Sequence, residues 1–172
     1  MTINRRTTLF FDASVLVAGA HSESGGSALL LEACKLGGFT AQITFLIILE
    51  AYHTLERGFP RRSIDRFRAY LADIHWQVLP VPQEKDLQKY TPLIHSKDVH
   101  VLAAAAEGGC EFLLTLDRRH ILAAAAALEQ AHLPLRMLTP GDFIRQYDSL
   151  HEEYASLPSE RGQAPESPDP GA

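Results

Sequence analysis

"TLFFDASVLVAG", Thr8–Gly19, is the stretch whose reading decides the fold. Leu9, Phe10 and Phe11, with Val15, Leu16 and Val17 behind them, read as a buried β-strand and its continuation. Asp12 interrupts them. A buried, unpaired carboxylate costs several kcal/mol or takes up a proton. By itself Asp12 reads equally as a turn or cap residue. The alternative is that other residues share its cost.

Outward from this stretch, short apolar runs alternate with longer helical ones. "GSALLLEACKLGG" predicts a helix stopped by Gly37 and Gly38. "FTAQIT" predicts a strand, and "FLIILEAYHTLERG" the helix after it. "SIDRFRAYLADI" places Ile64, Phe67, Tyr70, Leu71 and Ile74 at helical spacing. "WQVLPV" reads as a strand and "DLQKYTPLI" as a helical piece weakened by Pro92. "KDVHVLAAAAEGG" reads as a helix, "EFLLTLD" as a strand, "RRHILAAAAALEQAHL" as a helix, "LRMLTP" as a strand and "GDFIRQYDSL" as a last helix. Strands separated by helices predict an α/β fold, a mainly parallel central sheet with helices on both faces. The alanine runs Ala103–Ala106 and Ala123–Ala127 read as close-packed helix faces.

The 172 residues suit one domain, and 46% hydrophobic content can build its core. The folded part is expected over residues 6–150. Residues 151–172, acidic and rich in Pro, Ser and Gly, are expected to be disordered. That tail holds five acids against Arg161, so most of the net charge of −5 lies there and the body is close to neutral. Such a body neither demands nor excludes a nucleic-acid partner. No apolar run reaches the roughly 18 residues of a membrane span, and no signal peptide is evident. A cytoplasmic protein is expected. Cys34 and Cys110 belong to no CxxC pair, which argues against zinc and redox sites and fits two free, buried thiols.

In an open α/β sheet the site lies beyond the carboxyl ends of the strands. Asp12 follows "TLFF" and Asp117 follows "EFLLTL". Glu50 sits among apolar neighbours in "FLIILEAYHTL", and Asp98 opens "DVHVLAAAAEGG" just after Ser96, a candidate N-cap. Each acid has a plain structural alternative: a turn, a surface glutamate, a first-turn acid paired with the helix dipole, an N-cap. These alternatives do not predict convergence. Four converging carboxylates cannot all stay ionised without a cation. Oxygen donors without a Cys or His pattern favour Mg²⁺ or Mn²⁺. Such a site suits phosphodiester hydrolysis.

Four segments in order, "FFDASVLVA", "ILEAYHTL", "KDVHVLAAAAEGGCEFLLTLD" and "LRMLTPGDFI", resemble the PIN-domain ribonucleases, over about residues 7 to 147. In size the chain is similar to the toxin members of VapBC-type toxin–antitoxin pairs. The resemblance implies a three-layer α/β/α sandwich and a metal-dependent endoribonuclease. Asp12, Glu50, Asp98 and Asp117 would hold Mg²⁺ or Mn²⁺, with RNA as substrate, an antitoxin as a possible partner and a homodimer as the assembly. Ser14 and Thr115 stand where a hydroxyl can bond a carboxylate or a bound water. Many relatives carry a further acid just after the last Asp; here "DRRH" supplies Arg118, Arg119 and His120 instead.

Arg118 and Arg119 are candidate phosphate contacts, against a solvated helix start. Arg61 and Arg62 belong to the basic concentration "ERGFPRRSIDRFRAY", a candidate RNA or antitoxin surface, against a solvated helix face. His53 and His100 lie near acids in sequence, with surface or supporting roles expected. Trp76 and the phenylalanines read as core. The competing functions are a catalytically silent PIN-fold module that binds RNA or protein, and a phosphatase with a nucleophilic Asp12. A phosphatase of that kind wants an Asp where Ser14 stands.

Overall fold

The computed structural model describes residues 3–146. Its chain order is β1 (Thr8–Phe11), α1 (Ala13–His21), α2 (Gly26–Lys35), β2 (Thr40–Thr44), α3 (Phe45–Gly58), α4 (Arg61–Asp73), β3 (Gln77–Leu79), α5 (Glu84–Tyr90), α6 (Val99–Glu107), β4 (Phe112–Leu114), α7 (Ala125–Gln130), β5 (Arg136–Leu138) and α8 (Pro140–Gln146). Short 3₁₀ turns cover Ser96–Asp98 and Leu122–Ala124. The expected end of the domain at 150 and the tail 151–172 lie outside the described residues.

The sheet runs β3-β2-β1-β4-β5, and every pairing is parallel. The mainly parallel sheet of the sequence reading is thus wholly parallel. β1 is central, and Leu9, Phe10 and Phe11 have no exposed surface. The same holds for Phe112, Leu113 and Leu114 of β4. Continuous apolar runs of this kind are what strands covered on both faces require. α1, α2, α3, α4 and α8 pack on one another, and α5 packs on α6. These two groups form the outer layers of a three-layer α/β/α sandwich. Phe11 meets Trp76 edge to face, with ring centroids 5.6 Å apart. The Trp76 indole N–H donates to Tyr70 O at 3.1 Å, so this tryptophan is structural.

The chain leaves β1 at Phe11 and enters α1 at once. Val15, Leu16 and Val17 are therefore helical, and do not continue the strand. Six of the nine α1 residues are buried. A short helix covered on nearly every side carries no 3.6-residue stripe, which is why its sequence reads as strand. The long helix expected from "RRHILAAAAALEQAHL" is also absent. Turns and a 3₁₀ segment lead into α7, which has six residues. Ala103, Ala104 and Ala105 are buried in α6 as expected, whereas Ala123, Ala125 and Ala126 are exposed. Alanine stabilises a helix without demanding burial, so an alanine run does not by itself mark a packed face.

Both cysteines are free and buried. Burial pushes the Cys110 thiol up to about 12, and it donates to Gln42 Oε1 at 2.7 Å. Among the described residues no helix is long and apolar enough to cross a membrane.

One close approach yields a test of the packing. A Cβ added at Gly26, at the start of α2, would lie 2.8 Å from the Gly141 backbone N and 3.1 Å from the Pro140 backbone C of α8. Neither is a side chain that can swing away. Gly26→Ala should therefore cost about 1–3 kcal/mol, the usual penalty of overpacking, read as a lowered urea midpoint with unchanged slope.

Candidate active site

The strand order places the site. β1 and β4 are neighbours, while β1 leads to β2 on its other side, so the order reverses between β1 and β4. Ligands of open α/β sheets bind at such a switch point, beyond the carboxyl ends. Asp12 follows β1 directly, and its N–H donates to Leu114 O of β4 at 3.0 Å. Thr115 N–H donates to Leu138 O of β5 at 3.1 Å. The ends of the three strands are thereby tied together under the site.

Asp12 is 6% exposed. Its Oδ2 accepts from Ser14 Oγ at 2.5 Å and from Thr115 Oγ1 at 2.8 Å. The same two hydroxyl oxygens accept backbone N–H groups from the segment after β4: Leu116 N–H to Ser14 Oγ at 3.0 Å, and Asp117 N–H to Thr115 Oγ1 at 3.0 Å. Each hydroxyl is a two-sided link. It holds the Asp12 carboxylate and the backbone of Asp117 in one frame. Asp12 sits at the N-cap position of α1, yet its side chain caps nothing. Both hydroxyl bonds go to Oδ2, which leaves Oδ1 without a hydrogen bond among the described residues.

Thr115 is fully buried, so its hydroxyl has no water to replace these partners. Thr115→Val keeps the shape but strips a charge-assisted bond from Asp12 and an acceptor from Asp117 N–H. The expected loss is about 2–3 kcal/mol of stability. Ser14→Ala, at a half-buried position, should lose less. Denaturant unfolding of the two variants gives the order directly.

Asp98 ends the 3₁₀ turn before α6 and holds that helix's N-cap position, again with no side-chain cap bond. Ser96 lies inside the turn and is not the cap expected from the sequence; His95 accepts from Lys97 N–H there at 3.4 Å. A capping aspartate accepts from the first free N–H groups of its helix. Asp98 does not, and its Oδ2 is buried with no hydrogen-bond partner among the described residues. The His120 ring lies next to it, with Nδ1 3.7 Å from Oδ2, beyond hydrogen-bond range.

Asp117 combines both readings of its sequence position. Oδ1 accepts the backbone N–H groups of Arg119 (3.0 Å) and His120 (2.9 Å), the expected cap-like role. Oδ2 faces His120 Nδ1 at 3.2 Å. Asp98, Asp117 and His120 offer donor atoms that all lie within 4.8 Å of one another.

A cavity of about 530 Å³ joins these residues to the others. Asp12, Glu50, Asp98 and Asp117 all line it, with Ser14, Lys97, Thr54, His21 and Phe59 among the remaining walls. The structure therefore brings all four sequence-predicted acids to one cleft. Asp12 and Glu50 stand outside the tight group formed by Asp98, Asp117 and His120. Thr115 does not line the cavity and reaches the site through its hydrogen bond to Asp12.

Crowding of like charge marks the electrostatics. Glu50, although an exposed residue of α3, has its carboxyl raised above the ordinary 4.5, first by burial of the group in the cleft and then by Asp12 and Asp98, with Lys97 opposing. Burial also raises Asp98 above 3.8, with Asp117 and Asp12 adding to it and Lys97 and His120 opposing. Burial pushes Asp117 upward too, but hydrogen bonds from the His120 backbone and ring and the Arg119 backbone outweigh it, and its carboxyl is held below 3.8. His100, half-buried nearby, is lowered by burial despite Asp12 and Asp98, and its Nδ1 has no hydrogen-bond partner among the described residues.

Arg61, Arg62, Arg118 and Arg119 are exposed, and none lines the cavity. Arg61 pairs with Asp65 at 3.9 Å. Arg66, of the same basic stretch, is structural: it donates to Ala20 O at 3.0 Å and pairs with Glu23. His53 is exposed and away from the cavity lining. Lys97 and His120 were missed as site residues. Lys97 adjoins Asp98 in sequence, and that adjacency was the only available signal. His120 is three residues past Asp117, the distance at which a turn can bring a side chain back onto its first residue.

The donor set fits a divalent cation. Carboxylate oxygens predominate, and the buried Asp98 Oδ2 has no hydrogen-bond partner among the described residues.

Residues 8–119 match the family model of the PIN domain. Two solved structures share the fold at low identity. One is VapBC2 from Rickettsia felis bound to a DNA fragment from their promoter, 12% identical, covering 77% of this chain and 98% of that chain, with a TM-score of 0.52. The other is PAE2754 from Pyrobaculum aerophilum, 17% identical, covering 87% and 90%, also with a TM-score of 0.52. A search of curated proteins finds no match. The five-stranded parallel sheet, the acids gathered at its switch point and the match over most of the folded chain agree: this protein belongs to the PIN-domain family.

Proposed function

We propose that the chain is a metal-dependent endoribonuclease in which Asp12, Glu50, Asp98 and Asp117 hold Mg²⁺ or Mn²⁺. The observation that carries this reading is the convergence of the four acids on one cleft, where Asp98 Oδ2 is buried without a hydrogen-bond partner among the described residues. PIN-family membership supports the nuclease class. The chemistry such an ion supplies is Lewis-acid polarisation of a phosphoryl oxygen and acidification of water.

The chain's own residues bind and orient. Ser14 and Thr115 hold the Asp12 carboxylate in place through their hydroxyls. His120 and the Arg119 backbone do the same for Asp117. Lys97, on the cavity wall, offsets part of the acidic charge that would repel a phosphodiester. Arg118 and Arg119, exposed just beyond Asp117, are suited to the flanking phosphates of an RNA strand. Arg61 and Arg62 offer a further basic surface.

Within this reading the chain is the toxin of a toxin–antitoxin pair, acting in the cytoplasm as a homodimer. Support for the toxin role is the shared fold with VapBC2 from Rickettsia felis, a complex seen on promoter DNA. A catalytically silent binding module has less support, because all four acids are present. A phosphatase has less still: Ser14 stands two residues after Asp12, and its hydroxyl is bonded to that carboxylate.

Purified protein incubated with RNA in Mn²⁺ should cleave internally, and should stop in EDTA and in Asp12→Asn. RNA left intact with Mn²⁺ would point to the silent module. Phosphate release from a monoester with RNA intact would point to the phosphatase. Expression alone in a bacterium should arrest growth; normal growth with soluble protein would remove the toxin role and leave the nuclease.

A further inference from the structure

We propose that His120 contributes a ring nitrogen to the cation site beside Asp98 and Asp117, so that the site prefers Mn²⁺ and later first-row ions over Mg²⁺. The inference rests on the metal-dependent reading above and deepens it by naming the metal class.

The geometry comes first. His120 Nδ1 lies 3.2 Å from Asp117 Oδ2 and 3.7 Å from Asp98 Oδ2. Adjacent donors around an octahedral ion with bonds of ~2.1 Å stand about 3 Å apart. The two distances from Nδ1 are close to that spacing, and one donor atom from each of the three residues lies within 4.8 Å of the others. Asp98 Oδ2 has no hydrogen bond, so it gives up nothing to take a cation.

His120 is also held in place. Its backbone N–H is fixed to Asp117 Oδ1 at 2.9 Å. Its ring lies against the His95 ring, with centroids 4.9 Å apart and planes at 44°. The side chain keeps 32% exposure, which leaves an approach for an ion from solvent. Nδ1 lies within hydrogen-bond reach of Asp117 Oδ2, and the ring would offer its Nδ1 lone pair to a cation as the tautomer protonated on Nε2.

Donor chemistry then sets the preference. Mg²⁺ is hard and takes oxygen, whereas imidazole nitrogen binds first-row transition ions in rising order from Mn²⁺ towards Co²⁺ and Ni²⁺. One nitrogen among carboxylates therefore separates Mn²⁺ from Mg²⁺ without excluding either.

The test uses the full chain, stripped of metal with a chelator and titrated with Mn²⁺ and with Mg²⁺ by calorimetry. Pulsed electron spin resonance of the Mn²⁺ form reads bound nitrogen directly. Mn²⁺ should bind about tenfold or more tightly than Mg²⁺, and the Mn²⁺ signal should carry ¹⁴N modulation. In His120→Asp, which offers oxygen in the same place, that modulation should vanish and the Mn²⁺-to-Mg²⁺ preference should shrink by about tenfold. Thermal melts of the metal-free proteins check that the variant is folded.

An unchanged preference in His120→Asp, or wild-type Mn²⁺ without nitrogen modulation, would overturn the inference. Asp98→Asn and Asp117→Asn separate it from the broader reading. If they bind both ions as the wild type does, the acidic cation site itself is wrong, and the nitrogen with it. If they lose both ions while His120→Asp behaves as the wild type, only the role of His120 falls.

Discussion

In the proposed nuclease, Asp98→Asn is expected to lower RNA cleavage roughly a thousandfold, the several kcal/mol of charge stabilisation that a bound metal supplies to a transition state. Asparagine keeps the shape and one oxygen but removes the charge that attracts the ion. The loss should appear in kcat at saturating RNA, because the proposed role of Asp98 is at the reacting centre and not along the distant strand. Residual cleavage within tenfold of wild type would remove Asp98 from the site.

The same substitution should have the opposite effect on the metal-free fold. The carboxyls of Asp98 and Glu50 are raised above 3.8 and 4.5 in the folded chain. Raised carboxyls stabilise the fold below their unfolded pKa, and that contribution is lost as pH rises through the folded values. Asp117, held below 3.8, works the other way and loses its contribution as pH falls. In chelator, the wild type should therefore lose stability as pH climbs from 4 through the raised pKa range, and Asp98→Asn should lose less. Mn²⁺ should restore the wild type and not the variant, by about 2.7 kcal/mol at a hundred times its Kd. Melting curves across pH, with and without Mn²⁺, give both signs in one experiment.

Phe112→Ala has the largest expected effect on stability. Phe112 opens β4, has no exposed surface, and meets Phe143 of α8 edge to face at 5.0 Å. The Arg136 guanidinium of the neighbouring β5 lies 5.8 Å from its ring centroid. Truncation leaves a cavity between two strands and a helix that cannot close independently. The expected cost is about 3–5 kcal/mol, against a total stability on the order of 5–15 kcal/mol for a domain. A fall of about 10 °C in melting temperature follows for a chain of this length. A loss under about 1 kcal/mol would mean that the core around β4 relaxes more than its packing implies.

The strands were legible because a central parallel strand needs an unbroken apolar run, and "LFF" and "FLL" are such runs. Asp12 and Asp117 were legible as cleft residues because a carboxylate directly after such a run stands at the carboxyl edge of the sheet. Glu50 and Asp98 came from the company they keep, an apolar helix and a helix start. α1 was misread because a helix buried on nearly all sides loses its periodic stripe. The helix after Asp117 was overextended because alanines carry propensity but no packing demand. His120 and Lys97 had no signal strong enough to set them apart from other polar residues beside an acid.

The sequence by itself determined the alternation of strand and helix, the class of the fold and which acids were available for chemistry, since these depend on local propensity, burial pattern and residue type. Only the tertiary structure decided which of those acids touch. Asp12 and Thr115 are 103 positions apart and meet because β1 and β4 are neighbours in the sheet. Strand order is a property of the whole chain's packing, and no local stretch encodes it. The same packing left Asp98 Oδ2 unpaired and turned the His120 ring towards it, so the character of the site, as distinct from its ingredients, was settled in three dimensions.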